Sequence, residues 1–317
     1  MRIVTVTLTP ALDQTVRVDN FCTNIVNYGQ EMQFSAGGKG VNVASFLADA
    51  GFSTTVTGFL GQDNADIFEQ AFADKQIDDQ FVRIPGRTRI GVKIVDEVKQ
   101  QTTDINMRGL APPVEAMNTL QQRIKQLADY CDWFVLSGRL PPGVPTATYG
   151  MLISQLKGYG KQIVLDTSHE ALREGIQAGP TIVKPNVDEL RQLTGTELTD
   201  NDAIEQAARQ LLHKGTQLVI VSMGERGAMF IDQASTLIAV PPSVQVKSTV
   251  GAGDAMVAGF IAGQLQGLNL ADCARLATAF SLGAITRTGS RLPERETLQA
   301  YSQQVVVHPF TNVPRSA

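Results

Sequence analysis

The sequence predicts an α/β fold in which a central, mainly parallel sheet is flanked by helices. Three observations carry this expectation. Compact apolar runs of strand length recur along the 317-residue chain, and longer segments with helical spacing separate them. The hydrophobic content, 43%, is enough to bury both faces of a sheet in one large domain.

The first run, Ile3 to Leu8, alternates aliphatic residues with threonine. Trp133 to Leu136, Ile163 to Leu165, Thr181 to Val183 and Leu218 to Val221 are compact apolar runs, the composition of strands buried on two faces. Val114 to Tyr130 reads as a helix with Leu120, Ile124, Leu127 and Ala128 on one stripe. Asp202 to His213 reads as another, with Ile204, Ala207, Ala208, Leu211 and Leu212 aligned. Two segments break the alternation, at about 14–34 and 86–107. Both read as meandering strands with open polar faces, either a pair of surface hairpins or a small sheet outside the main layer that acts as a lid. No internal repeat or low-complexity linker divides the chain, so residues 1–317 are expected to form a single domain. The stretch after Pro309 reads as a loose tail.

Composition narrows the function. The net charge is −4, charged residues make up 18%, and no basic run stands out, which argues against a nucleic-acid surface. A basic pocket for a small anionic substrate remains compatible with that balance. Cys22, Cys131 and Cys273 are odd in number and far apart, as expected of reduced thiols rather than a disulfide framework or zinc site. The N-terminus has no signal-type apolar region, and no apolar run approaches the roughly 18 residues of a membrane span. A soluble cytoplasmic protein is the expectation.

The strongest motif runs from Ser248 to Asp254 (STVGAGD) and enters a segment, Ala255 to Gln264, that is apolar on nearly every face. A glycine-rich turn opening a buried helix leaves the first N–H groups without helical partners, and the dipole there favours an anion. Gly251, Ala252 and Gly253 would form such an anion hole, with Asp254 placed to take a proton from an attacking hydroxyl. The same aspartate could instead simply cap the helix. The turn is not a Walker A loop, and Met256 occupies the third glycine position of GxGxxG, which argues against a dinucleotide-dependent oxidoreductase.

The second motif is Ser35 to Ala44, in which Gly37, Gly38, Lys39, Gly40 and Asn42 precede a helix through Phe46 and Leu47. It offers close backbone approach, a positive charge and an amide, or else only a turn before a helix. Asp13, near the end of the first strand, is either a ligand for sugar hydroxyls or a turn residue. Arg87, Arg89, Lys93, Arg108 and Arg139 supply phosphate-binding chemistry, or solvated surface charge. Asn186 and Glu189, three apart after Lys184-Pro185, would suit a water-coordinated Mg²⁺ or an ordinary helix cap. Ser222, Gly224 and Gly227 form a tight loop at the end of a strand, the edge where ligands bind in open α/β sheets.

In order and over nearly the whole chain, these motifs resemble those of the ribokinase-like PfkB sugar kinase family. AGGKGVNVA and STVGAGDAMVAG carry the resemblance most specifically, joined by TLTPALD, GRTRIGVK, LDTSHEAL and VKPNVDEL. The resemblance implies a three-layer fold with a small β-sheet lid, and ATP with Mg²⁺ as the phosphoryl donor. It implies a sugar phosphate as acceptor, fructose 1-phosphate first, with tagatose 6-phosphate or fructose 6-phosphate as alternatives. Asp254 would be the base, with Gly251, Ala252 and Gly253 the anion hole. Asp13, Gly38, Lys39 and Asn42 would hold the sugar, and Arg89 with Lys93 its phosphate. Lys184, Asn186, Ser222, Gly224, Gly227, Gly253 and Ser281 would line the ATP site, and Asn186 with Glu189 would organise Mg²⁺ through water. Two lids would clasp into a homodimer. A catalytically silent sugar-phosphate sensor on the same scaffold is the competing expectation, and an intact GAGD argues against it.

Overall fold

The computed structural model describes residues 2–212, 215–287 and 289–310. Among them, an 11-stranded sheet forms the centre. From one edge its strands run Val306–Pro309, Thr236–Val240, Ala228–Asp232, Leu218–Ser222, Ile182–Val183, Gln162–Asp166, Trp133–Ser137, Ile3–Thr7 and Thr54–Gly61. Asp78–Asp79 and Val82–Ile84 both pair with Thr54–Gly61 at the far edge. From Leu218–Ser222 to that far edge every pairing is parallel, and the other edge is an antiparallel meander.

Strand side chains alternate between two cores, as the period of two requires. Val4, Val6, Phe134 and Leu136 join a cluster with helices Val114–Ala128, Thr148–Gly158 and Asn201–Leu212 on one face. Ile3, Trp133 and Val135 join the opposite cluster, with helices Lys39–Asp49, Ala252–Leu265 and Leu270–Ile285. The expected strands and helices are present with small shifts at their ends; His213, at the end of one expected helix, lies outside the described residues. Helix Ala252–Leu265 is buried continuously from Asp254 to Gly263, in keeping with its lack of a polar face. Of the expected C-terminal tail, Phe310 is held by its N–H donating to the Thr236 carbonyl (2.8 Å), and residues 311–317 lie outside the described residues.

A separate four-stranded sheet has the order Glu31–Gly37, Ala11–Arg17, Ile90–Asp96, Gln101–Asn106. This corrects two expectations. The small-sheet strands begin at Ala11 and end at Gly37, while residues 18–30 between them form no strand. Asp13 therefore does not close the first strand: Ile3–Thr7 ends earlier, and the chain turns at Leu8 to Pro10 into the small sheet, where Asp13 pairs in register with Ser35 and Gly91.

The two faces of this small sheet differ in chemistry. Asp13, Lys93, Asp104 and Asn106 occupy alternate positions and line a cavity against the main body. Met32, Phe34 and Ile105 occupy the intervening positions and are exposed, with Gln14 and Val92 completing a row across all four strands. Nearer the main body that face is covered: Leu12, Ala36 and Ile90 pack on a cluster that contains Val41, Ala44 and Phe68.

Candidate active site

Two cavities meet at the start of helix Ala252–Leu265. One, of about 380 Å³, lies between the small sheet and the C-terminal ends of the parallel strands. The other, of about 620 Å³, lies beside the Ser222–Gly227 hairpin. Asn186, Ser222 and Gly253 line both.

The helix start is shaped by Gly251, which sits in the left-handed region (φ 81°) where a side chain would be strained. No side chain caps the helix, so Asp254 is not its cap. Its Oδ2 instead accepts a hydrogen bond from Asn42 Nδ2 at 2.8 Å. Asp254 is 6% exposed. Burial pushes its pKa up to about 6, nearby Asp166 adds to the rise, and Lys39, the Asn42 amide and Lys184 oppose it.

Lys39 is the first residue of its helix, following Gly38 at φ 114°. Its ammonium lies 2.7 Å from Asp166 Oδ1, and Lys184 Nζ is 3.5 Å from Asp166 Oδ2. Burial acts to lower the Lys39 pKa, but Asp166 and Asp254 more than offset it and hold the group above the usual lysine value. Burial would raise the Asp166 pKa, yet Lys184 and Lys39 pull it below the usual carboxylate range. The result is a fixed charge cluster, two ammonium groups on one buried carboxylate, beside the helix start.

Across the smaller cavity, Lys93 Nζ pairs with Asp13 Oδ2 at 2.7 Å. Gly37 leaves room for that carboxylate: a Cβ there would lie 2.5 Å from Asp13 Oδ2. Arg89 donates to Asn106 Oδ1 at 3.0 Å, while its buried Nε has no partner among the described residues. Burial lowers the Arg89 pKa, Asp13 opposes this, and the charge of Arg139 lowers it further, so Arg139 projects its field toward this cavity although it is exposed. Arg87 and Arg108 do not line it.

Asn186 and Glu189 cap each other. Asn186 Oδ1 accepts from the Glu189 N–H (2.7 Å), and Glu189 Oε2 accepts from the Asn186 N–H (3.0 Å). The local signal for a cap was correct; the cap uses Glu189 Oε2, and Glu189 lines the smaller cavity. No group of three or more His, Cys, Asp or Glu residues suited to a metal occurs among the described residues. A carboxylate with a second oxygen outside the cap, beside an exposed amide, nevertheless fits Mg²⁺, which keeps most of its waters and binds phosphate oxygens.

The larger cavity is walled by Val244, Val246, Met256, Leu282 and Ile285, with Ser222, Gly224, Gly227 and Ser281 along its polar side. The Ser222–Gly227 loop is both of the things its sequence allowed: a hairpin turn between antiparallel strands, and a rim of the cavity. Lys184 faces Gly253 rather than this cavity: a Cβ on Gly253 would lie 3.0 Å from Lys184 Nζ. Each expected sugar- or nucleotide-contacting residue lines one of the two cavities, Lys184 lining the smaller and not the larger. Asp166, Asp104, Asn106 and the apolar wall residues were not singled out from sequence. For Asp166 a signal existed, since a carboxylate ending a parallel strand lies on the edge where ligands bind.

Residues 3–297 match the family model described as "pfkB family carbohydrate kinase". The chain is 45% identical over 308 residues to a 1-phosphofructokinase of Rhodobacter capsulatus, covering 97% of this chain and 98% of the relative. It is 40% identical to a 1-phosphofructokinase of Vibrio cholerae, with 96% of each chain covered. Among solved structures, phosphofructokinase-2 from Escherichia coli in complex with substrates and products superimposes with a TM-score of 0.88 at 30% identity, covering 96% of this chain and 99% of that one.

Proposed function

The chain belongs to the pfkB family of carbohydrate kinases, and from that premise we propose that it transfers the γ-phosphoryl group of ATP to the 6-hydroxyl of fructose 1-phosphate, giving ADP and fructose 1,6-bisphosphate. Full-length relatives at 45% and 40% identity, both named 1-phosphofructokinase, support this acceptor. The observation that carries the mechanism is the position of Asp254: a buried carboxylate at an uncapped helix N-terminus, where a polar and an apolar-walled cavity meet.

In this reading the adenine lies against Val244, Val246 and Leu282, and the phosphates extend past Ser222 and Gly224 to the turn at Gly251, Ala252 and Gly253. Fructose 1-phosphate occupies the smaller cavity. Asp13 and Asn42 accept from and donate to its hydroxyls, and Arg89, with its unpartnered Nε, and Lys93 hold its phosphate. Asp254 accepts the proton of the 6-hydroxyl as that oxygen bonds to the γ-phosphorus. The bridging bond between the β- and γ-phosphates breaks and ADP leaves with the bond's electrons. The amides of the turn and the ammonium of Lys39 stabilise the charge on the migrating group. Asn186 and Glu189 would hold Mg²⁺ through water; when bound, that ion neutralises the donor phosphates. The small sheet closes the sugar cavity as a lid and limits transfer to water. We place the enzyme in the cytoplasm, where ATP and reduced thiols coexist; all three cysteines are unpaired.

The test is ADP release with fructose 1-phosphate, fructose 6-phosphate and tagatose 6-phosphate compared by kcat/KM. Fructose 1-phosphate is expected to lead by at least about tenfold, the scale of one well-placed charged hydrogen bond. A lead for either 6-phosphate would reassign the substrate.

A further inference from the structure

Asp254 does not stand alone behind the site. Asn42 Nδ2 donates to its Oδ2 at 2.8 Å, and Ser290 Oγ lies 2.6 Å from the other end of the same carboxamide, Asn42 Oδ1. Asn42 is buried, so its oxygen has little recourse to water if that hydroxyl is lost. A carboxamide turned half a revolution would present oxygen instead of nitrogen to the carboxylate. Donation from Ser290 to Oδ1 keeps the amide nitrogen on Asp254, and a hydrogen bond at one end of an amide strengthens donation at the other.

We infer that Ser290 is a positioning residue for the catalytic base: its hydroxyl fixes the Asn42 carboxamide so that the amide donates to the Asp254 carboxylate. This rests on the kinase reading for its consequence in turnover, but the geometry itself is independent of which sugar is bound. The backbone at Ser290 is anchored without the hydroxyl. Its carbonyl accepts from Ser45 Oγ (2.7 Å) and Lys75 Nζ (3.3 Å), and the next turn is tied by the Leu292 N–H donating to Asp49 Oδ2 (2.9 Å). Replacing serine by alanine therefore removes one hydrogen bond and leaves the loop in place.

The charged groups around the relay are shared among several elements. Lys39 and Asp49 lie on the helix of Asn42, Asp166 ends a parallel strand, Lys184 follows another, and Lys75 and Arg291 flank Ser290. None of these is altered by Ser290→Ala. Weakening the amide's donation to an ionised carboxylate raises that carboxyl's pKa, so the acid limb of the rate profile moves to higher pH.

The experiment compares wild type, Ser290→Ala and Ser290→Thr in two ways. The first is the pH dependence of kcat/KM with fructose 1-phosphate, in which titration of the substrate's own phosphate is common to all three. The second is the carbon-13 NMR titration of the Asp254 carboxyl without substrates, assigned by its disappearance in Asp254→Asn. Ser290→Ala is expected to shift both midpoints upward by about half to one unit, a three- to tenfold loss of kcat/KM on the acid side with little change at high pH. Ser290→Thr, which keeps the hydroxyl, is expected to return both midpoints toward wild type. Superimposable midpoints for wild type and Ser290→Ala would overturn the inference, as would a uniform rate loss at every pH with an unmoved carboxyl titration. If wild type shows no transfer at all, the functional reading fails, and the carboxyl titration still decides the relay.

Discussion

Asp254 combines two properties that work against each other in a folded protein. Burial raises its pKa to about 6, yet the proposed role as base requires an ionised carboxylate to accept a proton. Above that pH the carboxylate carries charge and can act; below it the group is protonated and cannot. We therefore expect kcat/KM to fall tenfold per pH unit below about 6, measured with a buffer series at fixed ionic strength. An acid limb near pH 4 would show that another group is being read. Arg89→Ala removes a cavity-facing guanidinium with an unpartnered Nε. It is expected to raise KM for the sugar phosphate by about 10- to 100-fold, the range for a charge-assisted hydrogen bond, and to leave KM for ATP nearly unchanged. A defect confined to ATP would place Arg89 in the wrong cavity. At this scale the sequence was legible wherever a glycine-rich turn flagged its own chemistry, as for Asp254, Lys39 and Asn42. It was silent where function arises from pairing across the chain. Asp166 meets Lys39 over 127 residues of sequence, and Ser290 meets Asn42 over 248, so neither contact leaves a local spacing to read.

At the scale of elements, the small sheet is the part with two jobs. Its polar face lines the smaller cavity, while Met32, Phe34 and Ile105 expose an apolar row on the other. Ile25, Val26 and Tyr28, in the connection between its strands, are exposed as well. Exposed apolar patches of this kind mark association surfaces, and a two-fold pairing of the same face on two copies is the simplest closed solution. A homodimer through this sheet is expected, and Phe34→Asp combined with Ile105→Asp should convert it to monomer in sedimentation velocity. A wild-type chain that sediments as a monomer at micromolar concentration would contradict this. The open polar faces of the segments at about 14–34 and 86–107 made the strands of this sheet visible in sequence, but their ends were not. Leu12 is buried and Ala36 half-buried against the main body, so the pattern near Ala11 and Gly37 follows tertiary packing and not the open face seen farther out. The antiparallel edge strands Ala228–Asp232, Thr236–Val240 and Val306–Pro309 went unread for a related reason. The first two carry short apolar runs, Ala228 to Ile231 and Leu237 to Val240, that sit in an antiparallel hairpin outside the strand–helix alternation, and the last is largely exposed.

For the whole molecule, the parallel strands deliver Asp166, Lys184 and Ser222 to one edge, the small sheet faces that edge, and helix Ala252–Leu265 points its N-terminus between them. Apolar runs and amphipathic spacing foretold this layering because both sheet faces must be covered. They could not foretell that two cavities would share Gly253, which follows from how the helix is seated against Lys184. The central claim is that the phosphoryl group crosses from one cavity to the other beside Asp254. It is tested most directly by single-turnover transfer from γ-labelled ATP to fructose 1-phosphate in wild type and Asp254→Asn. The substitution is expected to slow transfer by at least about a hundredfold while ATP affinity stays within a few-fold of wild type; transfer at a near wild-type rate would contradict the account.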